Sequence, residues 1–152
     1  MQIKIKALSS YDKSLPLPCY QTLGSVGADV HAQLKNDIND GQIIIKPGER
    51  VLIPTALSFE IPSGFEMQVR PRSGLSLKSN LLIVNSPGTI DSDYRGELKI
   101  ILGNFGDNDE VIKHGDRIAQ LVVAPIVRAT FVLSEELSPT DRNAGGFGHT
   151  GL

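Results

Sequence analysis

The sequence has little of what disulfides, thiolate metal clusters and membrane spans require. Its 152 residues include a single cysteine, Cys19. One thiol forms neither an internal disulfide nor a thiolate-based zinc cluster. No apolar run reaches the roughly 18 residues that indicate a membrane span, and residues 1–6 alternate like a strand instead of forming the apolar core of a signal peptide. We therefore expect a soluble, cytoplasmic protein with no membrane partner.

The sequence also lacks a large excess of charge of either sign. The formal net charge is −2, and the 15 Lys and Arg residues are spread along the chain without a run. The sequence therefore lacks the basic footprint that grips polymeric nucleic acid, although a few local arginines suffice for a small anionic ligand. The three histidines, His31, His114 and His149, share no ligand spacing, so we expect no histidine metal site. No Ser-His-Asp or Cys-His arrangement is indicated either.

Helical periodicity is nearly absent, and strand patterns take its place. Strand-like segments separated by Pro and Gly turn signals cover residues 3–8, 42–46, 51–61, 65–70, 81–85, 97–103, 110–112 and 118–133. Only residues 74–80 suggest a short helical turn. Because a chain of this length suits one domain, we predict a single all-β fold, a distorted jelly roll or β-barrel-like sandwich.

A short internal repeat adds to this prediction. The string IKPGERV over residues 45–51 is matched by IKHGDRI over residues 112–118. Each copy is typical of a strand, a Gly turn and a second strand. Two such hairpins suit a jelly roll built of two Greek keys, and chance similarity within a β protein is the alternative.

The carboxy-terminal segment differs from the rest of the chain. After Leu133 the sequence becomes rich in small residues and glycine, with NAGGFGHTG over residues 143–151. Such a segment has too much backbone freedom to hold a fixed shape by itself. We predict that residues 134–152 of the single domain form a flexible, Gly-rich arm. The arm is either a frayed end or a segment that orders on a ligand.

The most informative segment is NSPGTIDSDYRGE over residues 85–97. It sets the carboxylate of Asp91 three residues before the ring of Tyr94. Apolar flanks over residues 81–84 and 98–102 frame it as two strands around a Pro87-Gly88 turn. Such a turn exposes backbone amides and carbonyls that can pair with a flat base, while Asp91 handles a water molecule.

Four other segments carry polar or glycine-rich chemistry. GSVGAD over residues 24–29 ends in Asp29, which suits either a hydrated divalent cation or a plain structural turn. RPRSG over residues 70–74 places an arginine guanidinium beside a serine hydroxyl. This segment suits either a phosphate-binding site or a turn with a surface ion pair. GDRIAQ over residues 115–120 ends in Gln120, for which simple solvation is the alternative. The tail from Arg142 onward suits a loop that binds phosphate oxygens and stacks an aromatic ring on a base. A disordered tail without function is the alternative.

Taken together and in this order, these segments resemble the motifs of the trimeric dUTPase family. The resemblance runs over residues 16–151 and includes PRSGL at 71–75, the segment 85–97, GDRIAQ at 115–120 and GGFG at 145–148. It implies a jelly-roll homotrimer with active sites shared between subunits, so that assembly is a condition of activity. The implied reaction is hydrolysis of dUTP to dUMP and pyrophosphate with Mg²⁺ as cofactor. That reaction limits uracil incorporation into DNA and supplies dUMP for dTMP synthesis.

The resemblance also implies a role for particular residues. Asp91 would orient and deprotonate the water that attacks the α-phosphorus, and Asp29 would meet Mg²⁺ through water. Tyr94 would pack against the sugar and exclude ribonucleotides. The residues that would bind the phosphate chain are Arg72, Ser73, Gly74 and Gln120. Those that would bind uracil, the last three through their backbone, are Asn85, Thr89, Ile90 and Lys99. Those that would close over the ligand from the arm are Arg142, Phe147, Gly148, His149 and Thr150.

The sequence departs from the family pattern at two positions, and two other functions stay open. Val30 stands where Leu is common, and His149 lies where a serine is frequent, which bears on the phosphate contacts of the tail. A dCTP deaminase would share the fold, but those relatives tend to break the pattern after the Ile-Asp pair, whereas this chain keeps Asp91 through Tyr94. A nucleotide-sensing protein that orders its tail on dUTP is the alternative from another class.

Overall fold

The computed structural model describes residues 1–34 and 40–146 of the chain. Within these residues, eleven strands and one short helix follow one another. They are β1 Lys4–Ala7, β2 Ala28–His31, β3 Gln42–Ile45, β4 Arg50–Pro54, β5 Leu57–Glu60, β6 Phe65–Arg70, α1 Ser73–Lys78, β7 Leu81–Ile83, β8 Gly88–Ile90, β9 Lys99–Asn104, β10 Glu110–Lys113 and β11 Arg117–Pro125.

The strands form four antiparallel sheets. The largest has the order β2-β11-β6-β8, and a three-stranded sheet has the order β4-β9-β7. Two pairs, β1-β5 and β3-β10, complete the arrangement. In the described part of the chain no sheet closes on itself as a barrel. The predicted all-β, jelly-roll-like fold is thus confirmed in its open, sandwich form. The same residues contain no helix with the length and apolar character needed to cross a membrane.

The core forms where inward-facing positions of different sheets meet. Side chains alternate between the two faces of a strand, so that Met67 and Val69 of β6 are buried, as are Ile100 and Leu102 of β9. Burying each such side chain stabilises the fold by about 1.5–3 kcal/mol. The candidate site lies between β8 and the start of β9. β8 pairs with β6, so the strands around the site are anchored by these buried side chains.

The predicted strand over residues 51–61 is interrupted. β4 ends at Pro54 and β5 begins at Leu57, and Ala56 between them has a φ of 52°. A positive φ is uncommon for a non-glycine residue. Two bonds hold the break: the Thr55 hydroxyl donates to the carbonyl of Leu98 at 2.6 Å, and the Ala56 amide donates to the Glu97 carboxylate at 2.8 Å. A strand pattern could not reveal a break that depends on side chains about 40 residues away.

The internal repeat has a structural counterpart, although the predicted hairpins are wrong. Gly48 and Gly115 have φ values of 76° and 83° in two equivalent turns. In each turn a carboxylate three residues along the chain accepts from a lysine amide, as in the bond from Lys46 N to Glu49 at 3.0 Å and its counterpart at 2.7 Å. The strands that precede the turns, β3 and β10, pair with each other instead of with the strands that follow them.

Two further strand boundaries differ from the prediction. β2 lies where the sequence indicated only a Gly-rich turn, and it is held by pairing with β11. β11 ends at Pro125, which pairs with Phe65 at the start of β6, instead of running to residue 133. Because β6 begins at Phe65, β11 has no strand to pair with after Pro125 within the described residues. The exposed apolar residues that follow include Val127, Phe131 and Leu133, each at least 96% exposed.

Candidate active site

The segment 85–97 crosses from one sheet to the other. β7, just before it, pairs with β9, just after it, as the sequence predicted. Between them, however, β8 pairs with β6 in the four-stranded sheet. The expected two-stranded hairpin with a Pro87-Gly88 turn is therefore wrong in part: Gly88 is the first residue of β8. Gly88 is buried, and its partner Val69 explains why the chain enters the second sheet at this point.

A cavity of about 510 Å³ lies between β8 and the start of β9. Five residues that the sequence assigned to base, sugar or water line it: Thr89, Ile90, Asp91, Tyr94 and Lys99. The rest of its wall is Leu52, Glu97, Leu98 and Ile101. The three residues predicted to act through their backbone lie on strands, where peptide groups are held in fixed directions. The cavity therefore combines a carboxylate, an aromatic ring and rigid peptide edges.

Asn85 lies beside this cavity instead of in the described part of its wall. It is exposed, and its amide nitrogen would lie 3.0 Å from a Cβ added at Gly88. Glycine at position 88 thus allows the Asn85 side chain to lie against the start of β8. The structure brings Asn85 close to β8 without placing it among the residues that line the cavity.

Tyr94 is held at the open side of the cavity. Its amide donates to the Asp91 carbonyl at 3.2 Å, and its hydroxyl donates to the Glu97 carbonyl at 3.0 Å. A side chain at Gly96 would overlap the Tyr94 hydroxyl. The ring is therefore folded over Gly96, in an orientation that depends on the absence of a side chain there.

Asp91 is exposed and lines two cavities. Besides the cavity described above, it borders a second one of about 520 Å³ that includes Glu66, Ser92 and Arg128. Its carboxylate is thus accessible from both sides of the chain after β8. An accessible carboxylate beside a ligand-sized cavity is able to accept a proton from a water molecule.

A buried ionic cluster, which we call the Asp29 cluster, lies at the other edge of the sheet. The Asp29 side chain is 2% exposed and accepts from Arg72 Nε at 2.9 Å and from Arg117 Nη1 at 3.1 Å. Gln120 Nε2 adds a longer contact of 3.4 Å. A buried carboxylate is stable only when it is paired in this way. The cluster comprises Asp29, Arg72, Arg117 and Gln120.

The Asp29 cluster fixes the guanidinium of Arg72. Arg72 Nη1 donates to the carbonyl of Arg117 at 3.1 Å, so two groups of one arginine are engaged. Ser73 and Gly74 follow at the exposed start of α1. At Gly27, an added Cβ would lie 2.9 Å from the Gln120 amide oxygen. Gly27 therefore lets Gln120 lie close over the loop that leads to Asp29. Sequence reasoning gave no role to Arg117 or Gly27, although both belong to the quoted motifs.

His31 is a titratable neighbour of this cluster that the sequence did not single out. Burial lowers its pKa below the ordinary value of 6.5; Arg117 and Arg72 lower it further, and Asp29 acts in the opposite direction. Its Nδ1 atom is buried and has no hydrogen-bond partner among the described residues. The lowered pKa means that burial and the two arginines disfavour the protonated form of His31.

The cavity and the Asp29 cluster of one chain lie at opposite edges of the four-stranded sheet. Asp29 is on β2 and Thr89 is on β8, the two outer strands. Three strand intervals separate them, which is about 14 Å at the usual spacing of about 4.8 Å. Because Arg72 is bound to Asp29, it belongs to the β2 side.

The cavity and the Asp29 cluster are also separated along the direction of the strands. On β6, Met67 pairs with Ile90, whereas Arg70 pairs with Gln120. The three residue steps from Met67 to Arg70 correspond to about 10 Å at the antiparallel rise of about 3.4 Å per residue. Asp91 follows Ile90 in the direction away from Arg70. The carboxylate of Asp91 and the Asp29 cluster therefore do not meet within one chain.

The arm contributes only one predicted residue to the described structure. Arg142 is exposed, and its Nε donates to the carbonyl of Gly145 at 2.9 Å. The other residues predicted to close over a ligand lie outside the described residues: Phe147, Gly148, His149 and Thr150.

The described residues offer few ligands for a Mg²⁺ ion. Among the described residues, no group of three or more His, Cys, Asp or Glu side chains could hold a metal ion. Mg²⁺ is usually held by one or two carboxylates together with substrate phosphates and water. The side chain of Asp29 is 2% exposed and both of its oxygens accept from arginines, so the described residues form no dedicated metal cage. The contact of Asp29 with Mg²⁺ through water stays a prediction.

Fold and site define a class of protein: a jelly-roll-like β protein with a carboxylate-tyrosine cavity and a separate arginine cluster suited to anions. A family model described as dUTPase matches residues 13–151. The deoxyuridine 5'-triphosphate nucleotidohydrolase of Roseobacter denitrificans is 52% identical over 151 residues, which are 99% of this chain and 97% of that protein.

Solved structures give the same result. A variant of the Staphylococcus bacteriophage 80alpha dUTPase with dUpNHpp is 26% identical, with a TM-score of 0.86 and 99% of each chain covered. A dUTPase from phage phi11 of S. aureus, described with a structural Mg(II) ion, is 23% identical, with a TM-score of 0.77 over 91% of this chain and 100% of that chain. The present chain therefore belongs to the dUTPase family. The enzyme class expected from the sequence, a dUTP diphosphatase, is confirmed by the family match and by the identity over nearly the whole chain.

Proposed function

We propose that the protein hydrolyses dUTP to dUMP and pyrophosphate through attack of a water molecule on the α-phosphorus, with Asp91 as the general base. The observation that carries this proposal is the single cavity in which Asp91 lies beside Thr89, Ile90, Tyr94 and Lys99. In the cell this reaction would limit uracil incorporation into DNA and supply dUMP for dTMP synthesis. The cytoplasmic location expected from the sequence stays a prediction.

Base recognition rests on peptide groups of β8 and β9. The backbones of Thr89, Ile90 and Lys99 pair with uracil, and Asn85 adds a side-chain amide. Cytosine differs at position 4, so it would leave polar atoms unpaired, and such mismatches reach factors of about 10⁴–10⁵. An extra methyl, as in thymine, is worth only about 10–200-fold in a pocket that merely binds it less well. Strong rejection of thymine therefore requires close packing against the methyl position.

The sugar and the attacking water are assigned to the part of the cavity wall formed by Tyr94 and Asp91. Tyr94 packs its ring against the deoxyribose and fills the position of a ribose 2′-hydroxyl. Asp91 orients the water and takes its proton, a contribution that is typically about 10²–10⁴-fold in rate. Its exposure to the two adjoining cavities supports this role, because water and substrate must reach the same carboxylate.

Phosphate binding is assigned to the Asp29 cluster and the start of α1. Arg72 is held by Asp29, and Ser73 and Gly74 follow it in the chain. The Ser73 hydroxyl is assigned to the bridging oxygen that becomes charged, and Gln120 supports the phosphate chain. From the arm, Arg142 and the residues Phe147, Gly148, His149 and Thr150 close over the ligand, so that residues 134–152 act as a lid of the single domain 1–152.

Mg²⁺ is the proposed cofactor. When bound, it neutralises charge on the triphosphate and fixes the phosphate conformer. Asp29 would hold the ion through water, and the remaining ligands would come from the substrate. The phage phi11 enzyme, for which a structural Mg(II) ion is described, supports a metal in this family without fixing its position here.

We further propose a homotrimer in which each active site is shared between copies. The separation of Asp91 from Arg72 within one chain supports this proposal, because the two residues must act on one triphosphate. The exposed apolar residues after β11 support it as well. Val127, Phe131 and Leu133 are at least 96% exposed in the single chain, and such a segment is stabilised by packing on another copy.

The test is pyrophosphate release from dUTP, dTTP, dCTP and UTP, each with and without Mg²⁺. We expect rapid release from dUTP alone and a strong dependence on the metal. Ammonia release from dCTP would instead identify a deaminase. Tight dUTP binding without any product would support a nucleotide-sensing protein.

A further inference from the structure

Glu97 joins three parts of the cavity wall. Its carboxylate accepts from the amide of Ala56 at 2.8 Å and lies 3.4 Å from the Lys99 ammonium. Its backbone carbonyl accepts from the Tyr94 hydroxyl at 3.0 Å. The side chain is 19% exposed, so these contacts are partly shielded from water. One residue thus links the break between β4 and β5 to the ring that borders the cavity.

The Ala56 contact is the fixed end of this link. Ala56 is fully buried and has a φ of 52°, and the neighbouring Thr55 hydroxyl donates to the carbonyl of Leu98. Both donors come from the break between β4 and β5, and their acceptors are the consecutive residues Glu97 and Leu98. The position of the Glu97 backbone is therefore set by the core and not by the exposed loop before it.

Tyr94 depends on that position. Its hydroxyl has the Glu97 carbonyl as acceptor, and its ring occupies the space over Gly96 where any side chain would overlap it. If the Glu97 backbone shifted, the acceptor would move and the ring would lose its fixed orientation. Glu97 also separates the 510 Å³ cavity from a neighbouring one of about 290 Å³, since it lines both with Lys99 and Leu52.

We propose that Glu97 is a positioning residue for sugar discrimination: by anchoring to the Ala56 amide, it holds Tyr94 where a ribose 2′-hydroxyl would lie. This inference rests on the proposed function, because it concerns how the same cavity tells dUTP from UTP. The same orientation of Tyr94 also requires glycine at position 96, because the ring occupies the space that a side chain there would fill. In this proposal Glu97 acts on the sugar only through Tyr94.

The test compares Glu97→Ala, Glu97→Gln and Gly96→Ala with the wild type. We expect Glu97→Ala to reduce the dUTP-to-UTP ratio of kcat/KM about tenfold, the effect of one ordinary hydrogen bond, with the change in dUTP mainly in KM. Glu97→Gln keeps an oxygen acceptor for the Ala56 amide and should retain the ratio. Gly96→Ala displaces the ring directly and should reduce the ratio even if Glu97→Ala fails to fold.

The matched control is Glu49→Ala. Glu49 also accepts from a backbone amide, that of Lys46 at 3.0 Å, but it does not line the cavity. It should lose some thermal stability and keep the wild-type discrimination. An unchanged ratio in folded Glu97→Ala would overturn the proposal, and so would a Glu97→Gln variant that loses the ratio as fully as Glu97→Ala.

A binding measurement separates this inference from the proposed function. Calorimetric titration with dUMP and with UMP reads sugar discrimination without any hydrolysis. A wild-type protein that does not cleave dUTP would contradict the proposed function alone. Equal preference of wild type and Glu97→Ala for dUMP over UMP would contradict the role of Glu97 alone.

Discussion

At the residue scale, the candidate site consists of side chains whose positions are set by specific neighbours. Arg72 is aligned by Asp29, Tyr94 by Glu97 and Gly96, and Gln120 by the space above Gly27. Each of these contacts fixes a group that would otherwise rotate freely at the surface. Preorganised groups of this kind cost no reordering when a ligand binds.

Asp29 should matter for stability as well as for phosphate binding. Asp29→Asn leaves the guanidinium groups of Arg72 and Arg117, which are 21% and 46% exposed, beside a neutral amide at a position where the side chain is 2% exposed. We expect the free energy of unfolding to fall by about 3 kcal/mol, as for other broken buried ion pairs, and the KM for dUTP to rise. Urea denaturation measures the first effect. Glu60→Gln, which breaks the exposed pair with Lys4, serves as control and should have no measurable effect.

The stability should also depend on pH through His31. The unfolded chain takes up a proton near the ordinary pKa of 6.5, whereas the lowered pKa of His31 makes the folded protein resist protonation. This contribution to stability is therefore complete above pH 6.5 and is lost as the pH falls toward the lowered folded pKa. Urea midpoints at about pH 7.5 and about pH 5.5 should fall more in the wild type than in His31→Gln. Equal falls would contradict the assignment.

At the scale of elements, the short strand β8 decides the geometry of the site. Three residues take the chain out of the β7-β9 pair and fasten it to β6 in the other sheet. The backbone that we propose to pair with the base is thereby attached to both layers of the fold. A small distortion at the entrance to β8 is expected to reach the base without unfolding either sheet.

Gly88→Ala tests this expectation. The added methyl would meet the Asn85 amide at 3.0 Å and Val69 at 3.4 Å, so the exposed Asn85 side chain must yield. We expect an increased KM for dUTP and weaker rejection of dCTP, with the fold retained. Gly24→Ala is the matched control, because a Cβ at Gly24 meets no atom within 4 Å. Identical kinetics of the two variants would show that the entrance to β8 does not position Asn85.

The sequence predicted the fold class because alternation and turn signals are local. It placed β1, β3 and β6 within a residue or two. One motif contains the cavity residues Thr89, Ile90, Asp91 and Tyr94, and the family resemblance added Lys99 on the strand that follows. It missed β2 and β8, which are short and depend on partner strands distant in sequence. Arg117 and Glu97 were missed because their roles are defined by contacts with Asp29 and Ala56, which no spacing rule reveals.

At the scale of the whole molecule, the proposed homotrimer requires that the cavity of one copy and the Asp29 cluster of another act on the same substrate. Mixing two inactive variants, Asp91→Asn and Ser73→Ala, should therefore restore activity when the chains are unfolded and refolded together. If Asp91 and Ser73 of each site come from different copies, random assembly makes about one quarter of the sites intact. Refolding each variant alone provides the control. Absence of any recovery in the mixture would place both residues of a site in the same chain.

The most direct test of the account is the rate of dUTP hydrolysis by Asp91→Asn. Loss of the general base should reduce kcat by about 10²–10⁴-fold while dUTP binding remains measurable, and Asp107→Asn, in an exposed loop outside both cavities, should keep the wild-type rate. Hydrolysis by Asp91→Asn at the wild-type rate would contradict the assignment of the cavity as the place where water is activated.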